Sequence, residues 1–254
     1  MNNRITFRED QWIKIVAFLR MQPGVYVGRE TALRHFLEGV LWILRSGAQW
    51  RLLPEEYGHW NSVYKRFARW CEQGIWQAMH DHFAQDPDME HIILDSTVVR
   101  AHPCAAGARN KQGGQATQAL GRSRGGFSTK LHINVDALGN PLRFRLTAGQ
   151  RHDITQAEAL IADYEFERLI ADTSYDADDF RKVLADKPAE AVIPSRKNRK
   201  EPRDYDHHLY KERHLVECFI NKLKQYRRIF SRFDKLAQRY LGFLSLAGAL
   251  IWLR

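Results

Sequence analysis

After Pro87 the apolar residues of this chain stop recurring at helical intervals and begin to alternate, and that change of period limits the possible folds more than any other feature. Upstream, Trp12, Ile15, Val16 and Leu19 share one face of a helix predicted over 7–19. Leu33, Phe36, Leu37, Val40, Leu41 and Leu44 do the same over 31–45, with Gly47 as the stop. A turn at Pro23-Gly24 and a linker over 50–58 set off a third predicted helix, 60–72, which carries Lys65, Arg66 and Arg69. Trp12, Trp42, Trp60 and Trp70 fall at core positions.

Downstream, strands are predicted over 91–99, 128–136 and 142–147, the last two joined by the turn Leu138-Gly139-Asn140. Thr155-Gln156-Ala157-Glu158 has the form of a capping box that opens a helix. A short strand (168–171), a helix (178–185), another strand (191–193) and two closing helices (209–230 and 233–253) follow. The chain therefore divides into a helical domain, 1–88, and an α+β or α/β domain, 89–254, with a mixed sheet flanked by helices. The stretch 100–126 is long for a connection between strands. It is cationic through Arg109, Lys111, Arg122 and Arg124, as befits a loop that orders on an anionic partner.

A formal charge of +9 and a pI near 9.6 favour such a partner, nucleic acid first. Cys71, Cys104 and Cys218 are too few and too scattered for a disulfide framework or a cysteine zinc site, which fits a reducing cytoplasm. The N-terminus lacks the apolar core of a signal peptide. The one long apolar run, Tyr240 to Leu253, is interrupted by Gly242, Ser245 and Gly248, too short to span a bilayer, and is read as a buried helix.

Three carboxylates then stand out: Asp95 on the first strand, Asp172 at the end of the fourth, and Glu217 within the helix predicted over 209–230. At 100° per residue Tyr210, Arg213, Glu217 and Lys224 share one face of that helix. Leu215, Val216, Phe219, Leu223, Tyr226 and Phe230 supply an opposite apolar face. Three converging carboxylates repel one another unless a divalent cation neutralises them, and hard oxygen donors suit Mg²⁺ or Mn²⁺ better than zinc. A second basic run, Arg196, Lys197, Arg199, Lys200 and Arg203, lies just upstream and is placed to track a phosphate backbone. Asp153, after His152, reads as a cap or loop residue rather than a fourth ligand.

The element order, strand–strand–strand–helix–strand–helix–strand–helix with acids in those three places, is that of an RNase H-like fold. The spacing Tyr210-x2-Arg213-x3-Glu217-x6-Lys224 resembles the signature of insertion-sequence DDE transposases. Ile92-Ile93-Leu94-Asp95-Ser96-Thr97, Gly121-Arg122-Ser123-Arg124-Gly125-Gly126, Asp136-Ala137-Leu138-Gly139-Asn140-Pro141 and Asp172-x-x-Tyr175-Asp176 resemble the IS-five family. Ser174 departs from the pattern, since relatives often carry Gly or Ala there.

The resemblance implies that Asp95, Asp172 and Glu217 are catalytic and hold two Mg²⁺ ions, with Mn²⁺ able to substitute. It implies cut-and-paste transposition of a bacterial insertion sequence: metal-dependent cleavage at terminal inverted repeats, then 3′-OH strand transfer into target DNA. Arg213 and Lys224 would clamp phosphates, and Tyr210 would contact a phosphate or base. Arg122, Arg124, Arg196 and Lys197 would add backbone contacts. The three N-terminal helices resemble a helix-turn-helix module that presents Lys65, Arg66 and Arg69 to double-stranded DNA; a plain three-helix bundle with solvated arginines is the alternative. A homodimer on DNA, in the cytoplasm at the nucleoid and without a membrane, completes the expectation.

Overall fold

The computed structural model describes residues 6–108, 116–123 and 125–254. Arg124, and with it Arg109 and Lys111 of the expected basic loop, lies outside the described residues. The helical period upstream of Pro87 produces α1 (Glu9–Met21), α2 (Glu30–Ser46) and α3 (Trp60–Glu72). Gly47 ends α2 in the left-handed conformation, φ 69°. A fourth helix, α4 (Ile75–Phe83), was not expected; it buries Ile75, Trp76, Met79 and His80.

The alternating segments form β1 (His91–Ala101), β3 (Gly126–Val135) and β4 (Pro141–Ala148), all antiparallel neighbours, with a short β2 (Gly121–Ser123) also on β3. Beyond them come α5 (Ala157–Ile161), β5 (Arg168–Ile170), α6 (Asp178–Asp186) and β6 (Glu190–Val192). β5 runs parallel to β1 and β6 parallel to β5. The strand order is thus β4-β3-β1-β5-β6, the RNase H-like arrangement that the element order predicts. The chain closes with α7 (His214–Lys224), α8 (Arg227–Phe230), β7 (Ser231–Arg232) and α9 (Ala237–Trp252).

The two sheet faces are covered differently. Ile92, Leu94, Leu169 and Ala171 pack with α5 and α6. The alternate residues, Ile93, Ile133 and Ile170, belong to a larger core shared by α7, α9 and the N-terminal helices. Trp12 and Trp70 are buried in it and Trp42 and Trp60 pack at its edge. The two glycines in α9 let α3 and α4 come close. A Cβ on Gly242 would lie 2.6 Å from the Cys71 sulfur, and one on Gly248 would lie 2.6 Å from the His80 ring. Among the described residues no helix is long and apolar enough to cross a membrane.

Three local expectations fail. The helix expected over 209–230 is three pieces: a 3-10 turn (Leu209–Arg213), α7 and α8. Tyr210 and Arg213 therefore precede the α-helix that carries Glu217, although Arg213 still meets Glu217 four residues on. Phe230, assigned to the apolar face, is 61% exposed, whereas Ile220 joins Val216, Phe219 and Leu223 in the core. The capping box does not form. Thr155 Oγ1 donates to the His152 carbonyl (2.7 Å), so 153–156 coil into a 3-10 turn ahead of a five-residue helix.

Candidate active site

The sheet register brings two of the acids together. Ile93 and Ile170 are the last paired residues of the parallel strands β1 and β5. Asp95 and Asp172 each follow by two residues, so both continue on the face of those isoleucines where the strands part. That is the face covered by α7, whose buried residues Val216, Phe219, Ile220 and Leu223 seat the helix and leave Glu217 exposed on its first turn.

Asp95 is 17% exposed, and its Oδ1 accepts from the Ser96 amide at 2.8 Å. Burial pushes its carboxyl up to about 6; Asp172 and Glu217 add to the rise, while the Ser96 amide and Arg213 oppose it. Arg213 bridges two of the acids, donating to Asp95 Oδ2 (3.3 Å) and to Glu217. Asp172 heads the 3-10 turn Thr173–Tyr175 and accepts from both the amide and the hydroxyl of Ser174, the residue that departs from the family pattern.

A second set of groups backs this centre. Asp153 accepts from Ser96 Oγ (2.7 Å) and Lys130 Nζ (2.9 Å). Burial raises its carboxyl, but those hydrogen bonds outweigh burial and hold it below the ordinary value. His132, fully buried, shares Nε2 with Thr147 Oγ1 at 2.8 Å. The Tyr175 hydroxyl is buried without a hydrogen-bond partner; burial, with Asp153, Asp95 and Asp172 nearby, pushes its phenol well above the ordinary value. Sequence reasoning set Asp153 aside as a loop residue. The one legible signal is its place five residues past the end of β4.

Three carboxylates supply hard oxygens, and burial destabilises the Asp95 anion, a cost that a bound cation would offset. The cation among them is the Arg213 guanidinium. Among the described residues no three acids, histidines or cysteines already stand as a metal cage. The chemistry fits Mg²⁺ or Mn²⁺, and Arg213 shares the space.

Other expected residues are spread more widely. Lys65 and Arg69 are exposed on α3, but Arg66 lies over the Phe36 ring (4.4 Å) and the Trp70 ring (5.1 Å). Arg196 donates to the carbonyls of Thr173 (3.2 Å) and Ser174 (3.0 Å), so it builds the turn of Asp172. Arg199 pairs with the buried Asp176 (2.8 Å), while Lys197 is exposed. Arg122, exposed on β2, lies over the Phe127 ring. Tyr210 packs edge-on to Tyr205, and burial raises its phenol. Lys224 is half-buried at the end of α7.

Comparison with known proteins agrees with this geometry. Residues 86–252 match the family described as "Transposase DDE domain", and residues 7–80 match one described as "Putative transposase of IS4/5 family". A stretch of 130 residues, 50% of this chain, is 46% identical to "Putative transposase for insertion sequence element IS6501" of Brucella ovis and covers 100% of that relative. A transposase described in the same words for IS402 of Burkholderia cepacia is 32% identical over 135 residues, 48% of this chain and 62% of the relative. Among solved structures, piggyBac transposase in a synaptic complex with hairpin DNA is similar at TM-score 0.50 and 10% identity. That likeness covers 97% of this chain and 65% of the other, slightly under two thirds, and speaks for the fold alone. The strand order defines an RNase H-like protein. The chain belongs to the DDE transposase family of insertion sequences.

Proposed function

We propose that this chain is the cutting and joining enzyme of its element, a metal-dependent transposase that cleaves double-stranded DNA at terminal inverted repeats and transfers the freed 3′-OH ends to target DNA. The observation that supports the reading is the equal two-residue step from the paired Ile93 and Ile170 to Asp95 and Asp172, together with Arg213, which joins Asp95 to Glu217. Mg²⁺, or Mn²⁺ in its place, would be held by these three carboxylates and would supply charge neutralisation at the phosphate and activation of the attacking oxygen.

The chain's own residues do the positioning. The sheet and α7 fix the acids' backbones before substrate arrives, which limits reorganisation during the reaction. Arg213, four residues before Glu217, neutralises Asp95 and Glu217 and passes to a phosphate oxygen beside the cut, where its planar fork binds two oxygens at once. Lys224 lies seven residues beyond Glu217, about 10 Å along α7, and meets a neighbouring phosphate. Tyr210 hydrogen-bonds a phosphate or stacks on a base. Lys65, Arg66, Arg69, Arg122, Arg124, Arg196 and Lys197 contribute backbone contacts that set register rather than sequence; Arg66 and Arg196 reach DNA only from packed positions. Residues 1–88 recognise DNA and 89–254 carry the chemistry. Two copies on DNA, at the nucleoid, bring two ends together.

The test is cleavage of a labelled duplex carrying the element's end, in Mg²⁺, by the wild type and by Asp95→Asn, Asp172→Asn and Glu217→Gln. The wild type is expected to cut and leave a 3′-OH, with each variant slower by on the order of 10³-fold or more. Variants that cut like the wild type refute the site. A wild type that binds the end without cutting refutes the enzymatic reading.

A further inference from the structure

A cavity of about 450 Å³ opens where the turn Trp50–Leu52 and α3 meet the segment that joins β7 to α9, away from the acids. Its wall holds the aromatic rings of Trp50, Trp60, Tyr64 and Phe233 and the cations Arg51 and Lys235. Trp50 stands edge-on to Tyr64, ring centres 5.3 Å apart, and the Arg51 guanidinium lies 5.6 Å from the Trp60 ring.

Charge at this wall is not balanced. Arg228 is neutralised by Asp234 and Arg239 by Glu72. Arg51 and Lys235 have no acid partner among the described residues. The Trp50 indole N–H is buried and donates to nothing. Leu236, the N-cap of the 16-residue α9, also lines the cavity; the first amide of that helix, at Ala237, donates to Gln118 Oε1 (2.8 Å), and no acid stands in the first turn.

Flat aromatic walls and cations without an acid partner are what a nucleotide takes up: rings for the base, cations for the phosphate. The volume lies within the range of single small-ligand sites and is far too narrow for a duplex. The place is also connected to the acids. β7 pairs with β1 at Arg100 and Ala101, five and six residues beyond Asp95, a path of about 17–20 Å.

We propose that this cavity binds one unpaired nucleotide of a DNA strand, with the base among Trp50, Trp60 and Tyr64 and the phosphate on Arg51 and Lys235. It anchors the strand a few nucleotides from the acid cluster. The proposal rests on the DNA reading above.

The test uses the full chain and a 5′-phosphorylated single strand of about eight nucleotides with one 2-aminopurine. Binding is expected to quench the 2-aminopurine. Trp60→Leu is expected to weaken single-strand binding by about 5- to 150-fold, the range for losing one stacked base. Arg51→Gln with Lys235→Gln is expected to lower the slope of log affinity against log salt by about 1.4. Duplex binding should be unchanged in every variant. Lys235 is exposed, so Lys235→Gln alone keeps the test valid should Trp60→Leu unfold. Equal single-strand affinity and salt slope in all proteins, with duplex binding intact, overturns the cavity and leaves the DNA reading standing. A wild type that binds neither DNA overturns both.

Discussion

Gly242 is the point at which the packing of the N-terminal helices on α9 can be measured. In Gly242→Ala two effects of similar size oppose each other. Replacing a glycine inside α9 with alanine favours the helix by about 1 kcal/mol. The new methyl, however, would sit 2.6 Å from Cys71 Sγ and 3.2 Å from Trp76 Cδ1. Neither neighbour can swing into solvent: Cys71 is 6% exposed and Trp76 1%. Overpacking of this kind costs about 1–3 kcal/mol, so the single variant should be less stable than wild type by up to about 2 kcal/mol. In Gly242→Ala/Cys71→Ala the sulfur is gone and the methyl fills part of its space. The helix gain is then realised, and the double-mutant cycle should show favourable coupling of about 1–3 kcal/mol. Urea unfolding followed by both circular dichroism and tryptophan fluorescence reads the cycle, coincident transitions licensing a two-state treatment. Thiol labelling gives an independent check. Cys104 and Cys218 are exposed, whereas burial pushes the Cys71 thiol up to about 12, so wild type should show two fast thiols and one slow. Additive effects in the cycle, or a Gly242→Ala protein stabilised by the full helix gain, would refute the close packing of α3 on α9.

Asp153→Asn breaks the ion pair with Lys130 and disturbs the bond to Ser96, the residue next to Asp95. Single-turnover cleavage should slow by about 10–100-fold, as for other groups that orient ligands from behind, and the unfolding midpoint should fall because the mostly buried Lys130 loses its carboxylate. Asp234→Asn leaves the Arg228 guanidinium buried without its carboxylate, the two side chains being only 7% and 6% exposed. Urea unfolding should show a loss of about 3–5 kcal/mol, and Arg228→Met/Asp234→Leu should recover most of it. His132 is held neutral by burial, its pKa pushed down to about 4, against about 6.5 in the unfolded chain. The unfolded state therefore takes up the proton first on acidification. Stability from this group is full above about pH 6.5 and is lost down to about pH 4, at up to about 1.4 kcal/mol per pH unit; His132→Asn should remove that slope.

What could be read from the sequence follows where local pattern and tertiary packing agree. β1, β3 and β4 alternate in step with the two faces they bury, so they emerged within two residues of their limits. Ile93-Leu94-Asp95 and Ile170-Ala171-Asp172 repeat the same step from the last core isoleucine to an acid, but only the observed pairing makes the two steps level. α4 was passed over because nine residues leave little periodicity to detect. β2 and β7 are two or three residues long and exist only because β3 and β1 are beside them. The break after Lys224 has no proline or glycine to announce it. A Cβ on Gly47 would fall 3.0 Å from the Arg227 side chain, so α8 is pulled against the end of α2, and that packing overrides a continuous helical period.

Basic residues are poorly resolved by sequence alone, for an electrostatic reason. A count of +9 invites each arginine to be read as a contact for phosphate, yet many of these guanidinia are already committed. Arg199 and Arg203 bind Asp178, and Arg199 and Arg181 bind the buried Asp176. Arg232, fully buried, is held by Thr129 Oγ1 (2.6 Å) and the Asp234 carbonyl (2.9 Å) with no carboxylate bound to it. Arginine serves these places because its five donors can satisfy several acceptors at once, whereas a lysine cannot span them. Lys65, Arg69, Lys197 and Lys224, by contrast, have no acid partner among the described residues. On the proposed function, the charge that reaches a DNA backbone comes from side chains such as these and not from the arginines already bound to Asp176 and Asp178. The salt dependence of duplex binding should fall when these lysines are replaced and hold when Arg199 or Arg232 is, the latter changes appearing instead as lost stability.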